Sequence, residues 1–286
     1  MKHLKYLVLL LALNSGYAFA FPKAPVDNLN FRPEKLFNLE SQYDFEGIVK
    51  LSNCSGSLIQ FEGQSDDAKA IVLTNGHCVK KGWFGGMLKP GEVMVNVKKN
   101  RSMKVFKNED TLYNINATKI IYATMTDTDM ALFELSETYN QLRNRTGVSP
   151  LTLSSTRSYE GVSIDIVSGY WERGYSCGIE KFVYVVKEAN WTFKDSIRYS
   201  PGCATVGGTS GSPIIEAGTR TVIGVNNSAN ESGRKCTMNN PCEINKKGDV
   251  FVKKGLKYGQ QTYNVYSCLT ANMVLDVNKK GCVLPK

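Results

Sequence analysis

An all-β fold of the barrel or sandwich kind is predicted for this 286-residue chain by three observations. Short apolar or alternating runs recur along its length. Gly, Asn, Asp and Lys separate them. Apolar residues at helical spacing are scarce. Two β domains of about 100 residues each fit the length.

The start reads differently. Lys2, His3 and Lys5 form a basic head, residues 7–13 an apolar stretch too short to span a bilayer, and Ala18-Phe19-Ala20 a small-x-small site. Residues 1–20 are therefore expected to be a cleaved export signal, with the mature chain beginning at Phe21. Residues 21–45 are polar and proline-bearing, and read as a propeptide, a strap across the fold or a disordered lead. Strands are then expected at 47–51, 57–61, 70–74, 92–97, 104–107, 119–123 and 130–135, forming a first domain over 46–145. The pattern breaks between Leu135 and Ser155, where the joint is placed. Strands at 161–169, 181–187, 197–200, 213–216, 221–226 and 261–267 form a second domain over 146–267. A C-terminal segment, 268–286, is expected to hold a short helix around Ala271–Leu275.

The formal charge of +9 is spread over basic runs such as Lys98-Lys99-Asn100-Arg101, Lys246-Lys247, Lys253-Lys254 and Lys279-Lys280. Dispersed in this way they read as solvated loop faces, not a nucleic-acid track. No later apolar run is long enough to cross a membrane, so a soluble exported monomer, secreted or periplasmic, is expected. All eight cysteines follow the signal, and an even number in an exported chain favours disulfides. Connectivity does not follow from sequence. Sequential pairing is taken: Cys54–Cys78, Cys177–Cys203, Cys236–Cys242 and Cys268–Cys282. Zinc is the weaker alternative, since no Cys-x-x-Cys occurs. The Cys236–Cys242 stretch with Glu243, Asn245 and Asp249 lacks calcium-loop spacing and reads as a closed surface loop that could border a cleft.

Beyond the signal one histidine remains, His77, in Thr74-Asn75-Gly76-His77-Cys78 after an apolar run. Imidazole is the side chain suited to accept and return a proton near neutral pH. A carboxylate follows in Asp127-Thr128-Asp129-Met130. Asp129 is preferred to Asp127 because it directly precedes a buried-looking strand. A serine follows in Gly208-Thr209-Ser210-Gly211-Ser212-Pro213. A hydroxyl is a poor nucleophile until a base takes its proton, which would be the role of His77. Asp129 would orient the ring. The backbone N–H groups of Gly208 and Ser210 would stabilise an oxyanion.

These motifs, together with Gly47-Ile48-Val49 and Cys54-Ser55-Gly56-Ser57, resemble the trypsin/chymotrypsin-like serine peptidase family, including its glutamyl-endopeptidase-like and HtrA-like bacterial branches. The order His, Asp, Ser is kept, and the similarity spans about residues 47–227. The resemblance implies two antiparallel six-stranded β-barrels with the active site in the cleft between them. It also implies peptide hydrolysis through an acyl-enzyme, protein or peptide substrates, and no cofactor. Cys54 and Cys78 resemble the family's disulfide beside the histidine. Thr209 stands where the animal digestive branch has the aspartate of its activation switch, and Ala204 stands where the trypsin branch has a pocket-floor aspartate. A substrate pocket of Ala204, Thr205 and Asn226 follows by position. A catalytically silent protein of the same shape, and an esterase using the same three residues, are the rival readings.

Overall fold

The computed structural model describes residues 45–79 and 86–286. The expected export signal, with His3, and nearly all of the polar lead lie outside the described residues. In the first half the strands are β1 (Ile48–Lys50), β2 (Ser55–Phe61), β3 (Lys69–Thr74), β4 (Val93–Phe106), β5 (Leu112–Thr124) and β6 (Met130–Thr138). A helix, α1 (Tyr139–Thr146), and β7 (Leu151–Leu153) follow. The second half holds β8 (Ser163–Ser168), β9 (Arg173–Glu188), β10 (Trp191–Tyr199), β11 (Pro213–Glu216), β12 (Thr221–Ala229), β13 (Cys242–Ile244), β14 (Val250–Phe251) and β15 (Lys257–Gln261).

Strands β1, β4, β5, β6, β3 and β2 pair in that order, and β2 returns to β1, closing a six-stranded antiparallel barrel. Strands β12, β11, β8, β9, β10 and β15 do the same, with β15 returning to β12. Short β7 runs parallel to both β2 and β12. The all-β, two-barrel expectation therefore holds. The apolar run of β3 shows why alternation was weak there. Ala70 and Val72 pack inside the first barrel with Leu58 and Phe133, while Ile71 and Leu73 face the other way, toward Leu132, Leu151 and Val222. Both faces of β3 are buried, as a continuous apolar strand requires. The second barrel closes on Ile164, Ile166, Tyr175, Ile197 and Ile214.

Several elements differ from expectation. The runs at 92–97 and 104–107 are one strand, β4, whose register slips between Lys98 and Arg101, so the basic stretch sits in the ladder with exposed residues alternating. Strands β5 and β9 extend well N-terminal of 119 and 181, because their outward faces are polar. The run at 261–267 is a 3-10 turn, Tyr263–Cys268, and the strand ends where that run was expected to begin. No helix forms at 271–275. Leu269 and Leu275 are both buried and bridge, and Met273 takes a positive φ of 56°. Helix α1 was not expected, although Thr138 and Gln141 form a capping box and Gly147 closes its end at φ 68°. All four sequential disulfides form. Among the described residues no helix is long and apolar enough to cross a membrane.

Candidate active site

His77 sits in a single 3-10 turn, Gly76–Cys78, directly after β3. Gly76 is required there: a Cβ would lie 2.0 Å from the Thr124 carbonyl oxygen and 3.1 Å from Asp129 Oδ1. That close approach brings the turn onto the segment preceding β6. Asn75 Nδ2 donates to the Asp129 carbonyl at 2.8 Å, and the His77 backbone N–H donates to Asp129 Oδ1 at 3.0 Å. His77 Nδ1 lies 2.6 Å from Asp129 Oδ2. The Cys54–Cys78 disulfide and Arg101, whose Nη1 donates to the Cys78 carbonyl at 2.9 Å, anchor the turn from behind. Both sulfurs of the Cys54, His77, Cys78 group are thus consumed, and no thiolate is offered to a metal.

The two aspartates separate cleanly. Asp129 is buried at 1% exposure. Asp127 has a positive φ of 59°, pairs with Lys194 at 2.7 Å and bonds to β10 through its backbone, so it shapes a turn. Burial opposes charge on the His77 ring. The Asp129 carboxylate, through charge and hydrogen bond, and Glu188 outweigh it and hold the imidazole pKa above its ordinary value.

Ser210 comes from the second barrel, in the loop before β11. Ser55 of β2 donates its N–H to the Ser210 carbonyl at 2.8 Å. Gly211, at φ 80°, admits this approach, since a Cβ would lie 2.2 Å from the Ser55 carbonyl oxygen. The Ser210 hydroxyl donates to the Asn227 carbonyl at a long 3.4 Å, and no bond joins it to His77. Both side chains nonetheless line one cavity of about 250 Å³. The N–H groups of Gly208 and Ser210 donate to no partner among the described residues. The Gly207 carbonyl accepts from Trp171 Nε1 at 2.8 Å. A trans peptide points its C=O and N–H in opposite directions, so this bond aims the Gly208 N–H away from the indole.

The positions expected to form a substrate pocket diverge. Ala204 is exposed and outside the cavity lining, and Thr205 lines it. Asn226 lines it too, but its amide is committed inward. Oδ1 accepts from Tyr199 OH at 3.0 Å, and Nδ2 donates to the carbonyl and hydroxyl of Thr209, each at 3.0 Å. Thr209 is thereby held by a neutral network. Sequence reading did not find Trp171, Lys257, whose Nζ donates to the Cys203 carbonyl at 2.7 Å, or Glu188. The Cys236–Cys242 loop does border the cavity, through Met238 and Asn239.

A sequence model of the trypsin-like peptidase domain matches residues 54–225. The chain belongs to that family. No curated protein matches it by sequence. Among solved structures it is similar in fold to the MamO protease domain of Magnetospirillum magneticum, with 11% identity, TM-score 0.49, and 80% of this chain and 98% of that one covered. It is similar also to a Glu endopeptidase, with 15% identity, TM-score 0.42, and 76% and 85% covered. A Nocardiopsis protease shows 16% identity, TM-score 0.43, and 77% and 93% covered.

Proposed function

We propose that the chain is an exported serine endopeptidase. The observation that carries this reading is the His77 ring, bonded to buried Asp129 on one side and lining, on the other, the cavity that Ser210 shares. Asp129 accepts the Nδ1 proton and leaves Nε2 free as a base. Ser210 Oγ attacks the scissile carbonyl and passes its proton to Nε2. The resulting oxyanion takes the Gly208 and Ser210 N–H groups. The imidazolium returns the proton to the leaving amine, giving an acyl-enzyme on Ser210. Water, deprotonated by His77, then releases the acid and restores the serine. Four disulfides support an oxidising compartment, so the periplasm or the cell exterior is the proposed location.

The Ser210 hydroxyl bonded to Asn227 favours a second reading, a silent binding protein of protease shape. Catalytic hydrogen bonds are often loose without substrate, so this geometry alone does not decide. Fluorophosphonate labelling of the processed, oxidised protein, with Ser210→Ala as control and the modified peptide mapped, does decide. Labelling of Ser210 is expected. Its absence in folded protein would favour the silent reading.

A further inference from the structure

The mechanism leaves one buried ionisable group of the cavity without a task. Glu188 ends β9 at the tip of the β9–β10 hairpin and is only 8% exposed. Its Oε1 accepts the Asn239 N–H at 2.7 Å. No Lys or Arg pairs with it among the described residues. The cavity it lines carries three carboxylates, those of Asp129, Glu188 and Glu231, and no Lys or Arg among its described lining. In a chain of formal charge +9 this is a local reversal of sign. Asp129 is held by the ring and backbone N–H groups of His77. Glu188 lacks a Lys or Arg partner and has only the nearby His77 ring to offset its charge, and a buried carboxylate without a paired cation is costly. That cost shows in its pKa, which burial raises against the opposing Ser228 and Asn239 hydrogen bonds and His77 charge, with the Asp129 charge adding a little to the rise. A second observation marks the cavity as a binding site. Asn227 is 6% exposed, lines the cavity, and its Nδ2 has no hydrogen-bond partner among the described residues.

We propose that this cavity receives a lysine or arginine side chain of the substrate, with Glu188 binding the cationic head and Met125, Trp191 and Phe193 flanking the aliphatic stem. The chemistry divides as such a side chain requires. Met125 and Phe193 are buried, and Trp191 pairs directly across the hairpin from Glu188. Long basic side chains lay their methylenes on apolar walls and keep the charge at a polar end. The acid that selects the cation stands on the hairpin beside the imidazole, and Ala204 contributes no carboxylate. The Cys236–Cys242 loop has a defined part, since Asn239 fixes one carboxylate oxygen. The inference rests on the peptidase reading only for the fate of the bound peptide.

The test compares arginine with citrulline, its uncharged near-isostere, at each position of a peptide library. One subsite of the wild-type protein is expected to favour arginine by at least about tenfold in kcat/KM. Glu188→Gln keeps an oxygen for the Asn239 N–H and removes only the charge, and should bring that ratio close to one. Equal use of arginine and citrulline at every subsite by wild type overturns the inference, whether or not the variant folds. So does an arginine preference that Glu188→Gln leaves intact. The same peptides are also titrated by fluorescence anisotropy against Ser210→Ala, with and without Glu188→Gln. If fluorophosphonate fails to label Ser210 yet arginine binding depends on Glu188, the peptidase reading falls and this inference stands. If labelling and cleavage occur without charge selection, the reverse holds.

Discussion

Replacing Asp129 by Asn isolates the part the carboxylate plays, because the exchange is nearly isosteric and the Asp129 side chain is buried. Asp129 accepts two N–H groups at once: the His77 backbone on Oδ1 at 3.0 Å and the ring Nδ1 on Oδ2 at 2.6 Å. An amide can accept only on one side. If its oxygen stays with the backbone N–H, its NH2 faces Nδ1, the ring proton is driven to Nε2, and the imidazole can no longer take the Ser210 proton. If it flips, the productive tautomer returns but a buried N–H faces a donor, at a cost of about 1–3 kcal/mol. The productive arrangement is thus held to roughly a sixth or less of the molecules. The imidazolium formed during attack also loses its counter-charge, worth about 4 kcal/mol at an effective dielectric of about 20. Together these, about 5–7 kcal/mol, lower kcat by about 10⁴–10⁵-fold. The rate of fluorophosphonate labelling, read beside a thermal melt, measures the effect. A fall of less than about tenfold in a variant that melts like wild type would refute the assigned role.

Trp171→Phe keeps an aromatic ring but removes the pyrrole N–H that donates to Gly207; kcat should fall about tenfold or more with KM little changed, as expected when an oxyanion donor loses its aim. Equal loss in KM would show a packing role instead. Asn226→Ala should lower stability by about 2–4 kcal/mol, since Tyr199 OH loses a buried acceptor and Thr209 its donor; chemical denaturation measures this, and a changed cleavage preference without destabilisation would contradict the structural role. Glu188 has a folded pKa above its ordinary 4.5. The folded state therefore holds a proton that the unfolded chain releases, and stability falls as pH rises through that window. Glu188→Gln removes this slope and should gain on wild type in melts taken from acid to neutral pH; parallel curves would count against it.

Residues whose chemistry is rare were legible in the sequence. One imidazole beyond residue 20, an aspartate before an apolar strand and a serine near glycines left few alternatives, and the burial of Asp129 and the turn at Asp127 follow the reasons that separated them. The barrels were legible as short strands, but not their lengths. β4 and β9 carry polar side chains outward for many residues, and polarity alone does not distinguish an exposed strand from a loop. Helix α1 did carry a local signal, the Thr138–Gln141 box with Gly147, masked by its polar outer face. Glu188 and Trp171 could not be found in this way. Their roles come from pairings between distant segments, the hairpin tip against the Cys236–Cys242 loop and the indole against Gly207, and nothing in their neighbours along the chain foreshadows either.

The three residues of β7 have a mechanical consequence. They are hydrogen-bonded on one side to β2 and on the other to β12, so the two barrels share one uninterrupted ladder. A hinge between the halves would have to break backbone bonds at β7 and the Ser55–Ser210 bond together. The spacing of His77 and Ser210, one from each half, is therefore set by strand register. Such a molecule leaves adjustment to the hairpin tip and the surrounding loops, and should lose both halves in a single unfolding transition.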